Sequence, residues 1–462
     1  MYIVLITILG LVMRLVLANQ SFWLDEGASL MMAKLPLPQL IESIKTDFHP
    51  PLFYTLLHFW IPLAGRSEWL IRLPFILLAT ATIPALYFLC REIFSEKSKI
   101  PLLSSLFLAL NPLHIYYSQE LRMYSLVTLL IVLSWYSLLK KKFFLTSILN
   151  LLSFFTFYGA IFNLLSQVIF LFFNKSKNII SEIFFITTPT ILVFLLWWHV
   201  FSTQLQNGNY LESVLPGWQT LSGTLTLKSL LLIPLKFILG RISFEPQKLY
   251  YLVGSLLIFI FSIFTGYSAK NKKNLPVWVA LLTPLILGTL LSFKTPILGY
   301  WRFLFVLPFF ITLLAAGIDS LPKVTYWGTV AWVSGTFIFF NLFFWNNVQF
   351  HREDWRGLTQ FLSGKNSLVL LAFPYQFAPL YYYSTDAEIM PIENSVYQQL
   401  PSIKDLLEEK MTSREVLYYL DYLADLTDPD RSGLKSLEKF GLKQTGVYNF
   451  NGLGQVYEFR PL

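Results

Sequence analysis

The sequence predicts a polytopic α-helical membrane protein with a small α/β domain at its C-terminal end, and three observations predict it. Hydrophobic residues make up 55% of the 462-residue chain, aromatic ones 17% and charged ones only 13%, more apolar side chain than a soluble domain can hide from water. Long apolar runs recur from the N-terminus to about residue 345. Beyond that point the sequence changes to short apolar runs separated by polar and turn-forming residues.

A span needs about 20 mainly apolar residues to cross a hydrocarbon layer of ~30 Å. About eleven segments qualify, near 3–19, 69–90, 100–116, 121–139, 143–158, 160–173, 178–200, 249–267, 275–293, 301–318 and 325–345. The first reads as an uncleaved span, because its n-region is only Met1-Tyr2, Arg14 interrupts it and no small-x-small site follows. The lone cysteine, Cys90, excludes an internal disulfide and any multi-cysteine metal site.

Orientation follows from the basic loops, since short cytoplasmic connections are enriched in Lys and Arg. "REIFSEKSK" (91–99), "KKK" (140–142), "NKSKN" (174–178), "SAKNKKN" (268–274) and "DSLPK" (319–323) alternate along the chain so that all five share one side with the N-terminus. The expectation is a multi-pass plasma (inner) membrane protein with a cytoplasmic N-terminus. The other side receives 20–68, the link 116–122, the long loop 201–248, 294–300 and everything after about 346. A transmembrane domain over 1–345, with 20–68 as its first outer loop, thus precedes an extracytoplasmic α/β domain over 346–462.

The tail holds 11 Lys+Arg against 15 Asp+Glu, a net −4, which leaves +12 of the overall +8 on the membrane part. That surplus is a topology signal and a basic membrane surface facing lipid, and implies no nucleic acid. In the tail, "EDWRGLTQFL" (353–362) predicts a helix with Asp354 as N-cap and Trp355, Leu358, Phe361 and Leu362 on one face. "SLVLLAF" (367–373) predicts a buried strand, "SLEKF" (436–440) a helix, and "KQTGVYNF" and "QVYEF" a hairpin around "NGLG". No glycine-rich phosphate loop is present.

Chemistry concentrates in three outer links. The first carries Asp25 and Glu26 in "FWLDEGASL", then Glu42, Asp47 and "HPPLFYTLLHFW" (49–60), which reads as an aromatic helix lying in the interface. The second, "NPLHIYYSQELRMYS" (111–125), packs Tyr117, Glu120 and Arg122 between two spans. The third, "FKTPILGYWRFLF" (293–305), holds Lys294, Tyr300 and Arg302 at the start of a span. Ionisable groups at membrane depth are expensive and mark function. His49, Glu42 and Asp47 could also join Asp25 around a divalent cation, on a donor set of one imidazole and scattered carboxylates. No other cofactor is expected.

The order of "LDE" after the first span, "HPPLFYTLLHFW" and "RLP" before the next, "YYSQELRMYS", "YWRF" and "EDWRG" resembles the GT-C membrane glycosyltransferases. Within them it is similar to the branch of the protein O-mannosyltransferases and the lipid A aminoarabinose transferase. The resemblance implies a GT-C-like fold, a polyprenyl-phosphate-linked sugar donor, an acceptor hydroxyl on a lipid, glycan or protein presented from outside, and inversion at the anomeric carbon. It implies Asp25 as general base with Glu26 beside it, Glu120 shaping the site, Arg302 near the donor phosphate, and His49 structural or positioning the acceptor. In "YWRF" the arginine precedes Phe303, where the family pattern has arginine followed by tyrosine. The residues by themselves suit this chemistry: a phosphate-linked sugar already carries a good leaving group, so one base and one cation suffice.

Duller readings stand beside these. Asp25 and Glu26 also fit the first turn of a helix, where acids are favoured by its dipole. Arg302 also fits a side chain snorkelling to headgroups, and Glu120 with Arg122 an interfacial ion pair. His58 fits aromatic packing. The competing class is a lipid or small-anion transporter or flippase, with Glu120 and Arg302 as gating charges. Against it, the hydropathy shows no inverted repeat and the ionisable residues cluster at one face.

Overall fold

The computed structural model describes residues 1–95, 98–175, 178–214, 223–373, 377–391, 410–411, 414 and 416–461. They fall into two compact units. The first comprises Met1–Ala18, Pro36–Leu211 and Gln219–Asn346, and the second Asn19–Leu35, Glu212–Trp218 and Asn347–Leu462.

The first unit is helical, and each of the eleven apolar segments read from the sequence is a helix. They are α1 (Tyr2–Leu15), α5 (Glu68–Ile93), α6 (Ile100–Leu110) with α7 (Pro112–Ser118), α8 (Tyr124–Leu139), α9 (Phe143–Thr156), α10 (Ile161–Phe173), α11 (Ile179–Val214), α13 (Gln247–Tyr267), α14 (Leu275–Leu291), α15 (Leu307–Asp319) and α16 (Lys323–Asn346). Six helices among the described residues are long and apolar enough to cross a membrane, and α6 with α7 forms a seventh candidate bent by 59°. The other apolar helices are of 10–17 residues, below the length of a straight span. This is a multi-pass membrane architecture. α11 turns Phe184, Ile191, Leu195 and Trp198 outward, an apolar surface suited to lipid, whereas α8 and α15 are enclosed.

Between residues 20 and 68, α3 (Leu37–Ile44) and α4 (Leu52–Ala64) belong to this unit. α4 buries Phe53, Tyr54, Leu57 and Ile61 and exposes Leu56, Phe59 and Leu63, the two-faced pattern of an interfacial helix.

One expectation needs correction. Among its described residues, the long loop 201–248 carries two helical stretches: α11 continues to Val214, and α12 covers Leu227–Leu239. Polar residues that read as a loop continue α11 because they have partners. Gln204 Nε2 donates to the carbonyls of Ile44 at 2.8 Å and His49 at 3.1 Å, and Asn207 Nδ2 to Lys45 at 3.1 Å. The link 116–122, read as packed between two spans, is enclosed, every residue from Asn111 to Val132 being buried. The bend before it is held by Arg14, the residue that interrupts the first apolar run. Its guanidinium donates to Ala109 and Leu108 carbonyls, both at 3.1 Å, and meets His114 Nδ1 at 2.7 Å, satisfying groups that a helix end leaves orphaned.

The second unit is built on a sheet of order β2-β1-β3-β5-β4. Its strands are β1 (Ser367–Leu371), β2 (Glu388–Pro391), β3 (Val416–Leu420), β4 (Leu442–Phe450) and β5 (Gly454–Pro461). β1 runs parallel to β2 and β3, while β5 is antiparallel to β3 and β4. β1 and β3 are buried throughout, which explains their unbroken apolar runs. One face packs Val369, Leu371, Tyr418 and Leu420 against Trp355, Leu358 and Leu362 of α17 (Trp355–Leu362). The other packs Leu368, Leu370, Leu417 and Tyr419 against Leu437 of α20 (Ser432–Lys439). Short helices α18 (Ala378–Tyr383) and α19 (Ala424–Thr427) complete the layers. Asp354 caps α17 by accepting the Gly357 N–H at 2.9 Å, as its sequence predicts.

Candidate active site

In the second unit, "FWLDEGASL" forms the start of α2 (Leu24–Ala33), with Trp23 at the N-cap position. Asp25 is half-buried in the first turn and Glu26 fully buried. The Glu26 carboxylate accepts the Trp23 N–H at 3.3 Å, the arrangement of an N3 acid closing back on its cap. Glu26 therefore takes the capping geometry.

Among the described residues, hydrogen bonds tie the segment leading into α2 to the tail. Gln20 Oε1 accepts the Arg352 N–H at 2.8 Å, Ser21 Oγ the Arg356 N–H at 3.1 Å, and Tyr383 Oη the Phe22 N–H at 2.8 Å. The Leu24 N–H donates to Glu353 Oε2 at 3.0 Å. Phe22 sits edge-on to Tyr382, with ring centroids 5.1 Å apart. Gly27 is needed for contact with α18, since a Cβ there would lie 2.7 Å from the Pro379 ring. "FWLDEG" and "EDWRG" are therefore one hydrogen-bonded assembly, although more than 320 residues separate Leu24 from Glu353.

Two polar clusters of the first unit take up candidate residues read from the sequence. In one, Asp47 accepts from Tyr54 Oη and lies 3.2 Å from His49 Nδ1, while His49 Nε2 lies 3.2 Å from Arg122 Nη2. A guanidinium only donates, so Nε2 accepts and Nδ1–H donates to Asp47. Burial opposes ionisation of Asp47, but His49, Arg122 and Tyr54 together hold its carboxyl below the usual range. Arg302, half-buried, donates to the Pro296 carbonyl at 2.8 Å and couples electrostatically to Arg122 and Tyr124.

The other cluster gathers Tyr117, Glu120 and Tyr300 around Arg241. Tyr117 and Tyr300 lie close enough to interact. Arg241 Nη1 donates to Tyr116 Oη at 2.6 Å and interacts with Tyr300, Tyr117 and Glu120. Lys236 is buried nearby, its ammonium donating to the Ile242 carbonyl at 2.5 Å and lying 5.9 Å from the centre of the Tyr300 ring. Lys294 is exposed on the loop after α14, and the structure does not bring it into either cluster.

Arg241 and Lys236 were missed because the sequence placed both in an extracytoplasmic loop, where a basic residue carries little meaning. The available signal was "LLLIPLKFIL", a lysine within an apolar helix-length run. Among the described residues, no three His, Cys, Asp or Glu side chains are placed to hold a metal ion. Asp47 and His49 meet as a pair, and Glu42 is exposed beside Lys45.

No protein-family model matches the sequence, and no curated protein matches it. Solved structures do. ArnT from Cupriavidus metallidurans bound to undecaprenyl phosphate aligns with a TM-score of 0.62 at 12% identity, over 99% of this chain and 98% of that one. The chain has the GT-C glycosyltransferase fold. The arabinofuranosyltransferase AftD from Mycobacteria matches at TM-score 0.54 and 13% identity, over 99% of this chain but 40% of its own. The oligosaccharyltransferase AglB from Archaeoglobus fulgidus, solved with an inhibitory peptide and a dolichol-phosphate, matches at 0.53 and 10% identity over 99% of this chain and 73% of its own. In this GT-C fold the residues singled out in the sequence fall into an α2–tail assembly in the second unit and two polar clusters in the first.

Proposed function

We propose that the protein is an inverting glycosyltransferase that moves a sugar from a polyprenyl-phosphate-linked donor to an acceptor hydroxyl on a lipid, glycan or protein at the extracytoplasmic face. The observation that carries this reading is the fold, matched along nearly the full length of both chains to a structure holding undecaprenyl phosphate. The dolichol-phosphate in the AglB structure supports the same donor class.

The acceptor oxygen attacks the anomeric carbon and loses its proton to Asp25, while the bond from that carbon to the phosphate oxygen breaks. The electron pair leaves with the polyprenyl phosphate. Arg302 meets the charge that develops there, and its coupling to Arg122 supports the role, because two neighbouring guanidinium groups in a desolvated wall favour an anion between them. His49 steers Arg122 through its acceptor nitrogen. Tyr117, Tyr300 and Glu120 brace Arg241 on the second cluster. Glu26 orients Asp25 by closing the first turn of α2. Lys294 has no part in this scheme, and the scheme uses no divalent cation.

The test is Asp25→Asn, which keeps shape and removes the base. Donor binding should persist while transfer from a polyprenyl-phosphate sugar in liposomes falls by about 10²–10⁴-fold, the usual contribution of a positioned base. A helix-capping role predicts near wild-type turnover, because Asn caps about as well as Asp, and that result would sink the assignment.

A further inference from the structure

We propose that Glu353 is the positioning residue for the helix that carries Asp25, so that the C-terminal domain sets the aim of the base. This rests on the reading of Asp25 as the base. The Glu353 carboxylate gathers three donors: Leu24 N–H at 3.0 Å and Trp355 Nε1–H at 2.7 Å on Oε2, and the Tyr422 hydroxyl at 2.8 Å on Oε1. Leu24 is the first residue of α2 and Asp25 the second. The other three ties, from Gln20, Ser21 and Phe22, restrain the chain before the helix. The bond to Glu353 reaches the helical turn itself, beside the reacting carboxylate.

The Leu24 and Trp355 N–H groups can only donate, so Oε2 must accept from both, and an ionised carboxylate also leaves Oε1 free to accept from the Tyr422 hydroxyl. Glu353 is itself braced from behind. The Asp354 N–H donates to the Asn451 carbonyl at 2.9 Å, and Asn451 Nδ2 donates to the Arg352 carbonyl at 3.1 Å. Gly452 in the hairpin turn has φ +74°, and a Cβ there would lie 3.1 Å from Glu353 Cα. The turn of β4–β5 therefore wedges the "EDWRG" backbone in place.

Burial, with the charge of Asp25 adding to it, pushes Glu353 above the ordinary range, against the pull of its three hydrogen bonds.

The test uses the full-length protein in liposomes with a polyprenyl-phosphate sugar, measuring turnover, donor KM, thermal midpoint and hydrogen exchange over residues 22–33. Glu353→Gln should lower kcat by about 10- to 100-fold with donor KM within about twofold, as loss of alignment without loss of binding requires. Its thermal midpoint should not fall, and the Leu24 amide should exchange faster. Tyr422→Phe, which keeps the carboxylate and removes one donor, should lower kcat by a smaller factor. Adding Glu353→Gln to Asp25→Asn should cause no further loss, because a residue acting through Asp25 has nothing left to aim. Wild-type kcat in Glu353→Gln, with Asp25→Asn inactive, would overturn the proposal and leave the base reading intact. Activity in Asp25→Asn would remove the reading on which both depend. Losses of kcat that track losses of thermal midpoint in both Glu353→Gln and Tyr422→Phe would make Glu353 structural and overturn positioning.

Discussion

Arg122 reaches His49 across 73 residues of sequence, Nη2 to Nε2 at 3.2 Å, and His49 passes the contact on to Asp47. The result is a chain of carboxylate, imidazole and guanidinium in which each group fixes the orientation of the next. Asp47, which the sequence offered only as a scattered carboxylate, is the anchor of that chain.

Its acid behaviour follows from sign. Asp47 titrates below its ordinary value of 3.8 in the folded protein, so its ionised form contributes stability that is fully present above that value and lost as pH falls through the folded one. Thermal midpoints should stay level from neutral pH to about pH 5 and drop on further acidification. Asp47→Asn should start lower at neutral pH and flatten the acid limb, and an unchanged limb in that variant would assign the loss to other carboxyls.

Gly27 is a second point of leverage. The methyl of Gly27→Ala would press on the ring and nitrogen of Pro379, at 2.7 and 2.8 Å, and overpacking of this kind costs about 1–3 kcal/mol. Hydrogen exchange over residues 19–35 should quicken and transfer should fall, with donor KM little changed. Protection equal to the wild type would show that α2 accommodates the methyl.

Arg302 should matter for the donor. Arg302→Ala should raise the donor KM by an amount equivalent to about 1.5–3 kcal/mol, the range of a charge-assisted hydrogen bond. Lysine should rescue only in part, because it lacks the planar fork that also holds the Pro296 carbonyl. Unchanged donor affinity in the alanine variant would remove Arg302 from donor binding.

The basic-loop alternation makes a topological prediction. Reporter fusions at Gly364 and Lys272 should lie on opposite sides of the membrane, with Gly364 outside. Reports from the same side would overturn the extracytoplasmic assignment.

The sequence by itself determined where the eleven apolar segments form helices and how apolar their surroundings are, because segment length, apolar content and loop charge are local properties that no tertiary contact has to supply. The same holds for the tail, where Asp354, the strand 367–371 and the "NGLG" hairpin are local signals of capping, burial and turn chemistry. It also determined which residue types stood out, Asp25, His49, Glu120 and Arg302 among them. Tertiary structure decided their company. That Glu353 grips Leu24, that Arg122 turns to His49, and that Arg241 and Lys236 join Tyr300 are relations between segments tens to hundreds of residues apart. Periodicity and propensity act over a few helical turns, whereas a hydrogen bond between distant segments depends on how whole helices and strands pack. No local pattern in "LKFILGRISF" announces that packing, and the polar end of α11 reads as a loop until the carbonyls it serves, Ile44, Lys45 and His49, are folded against it.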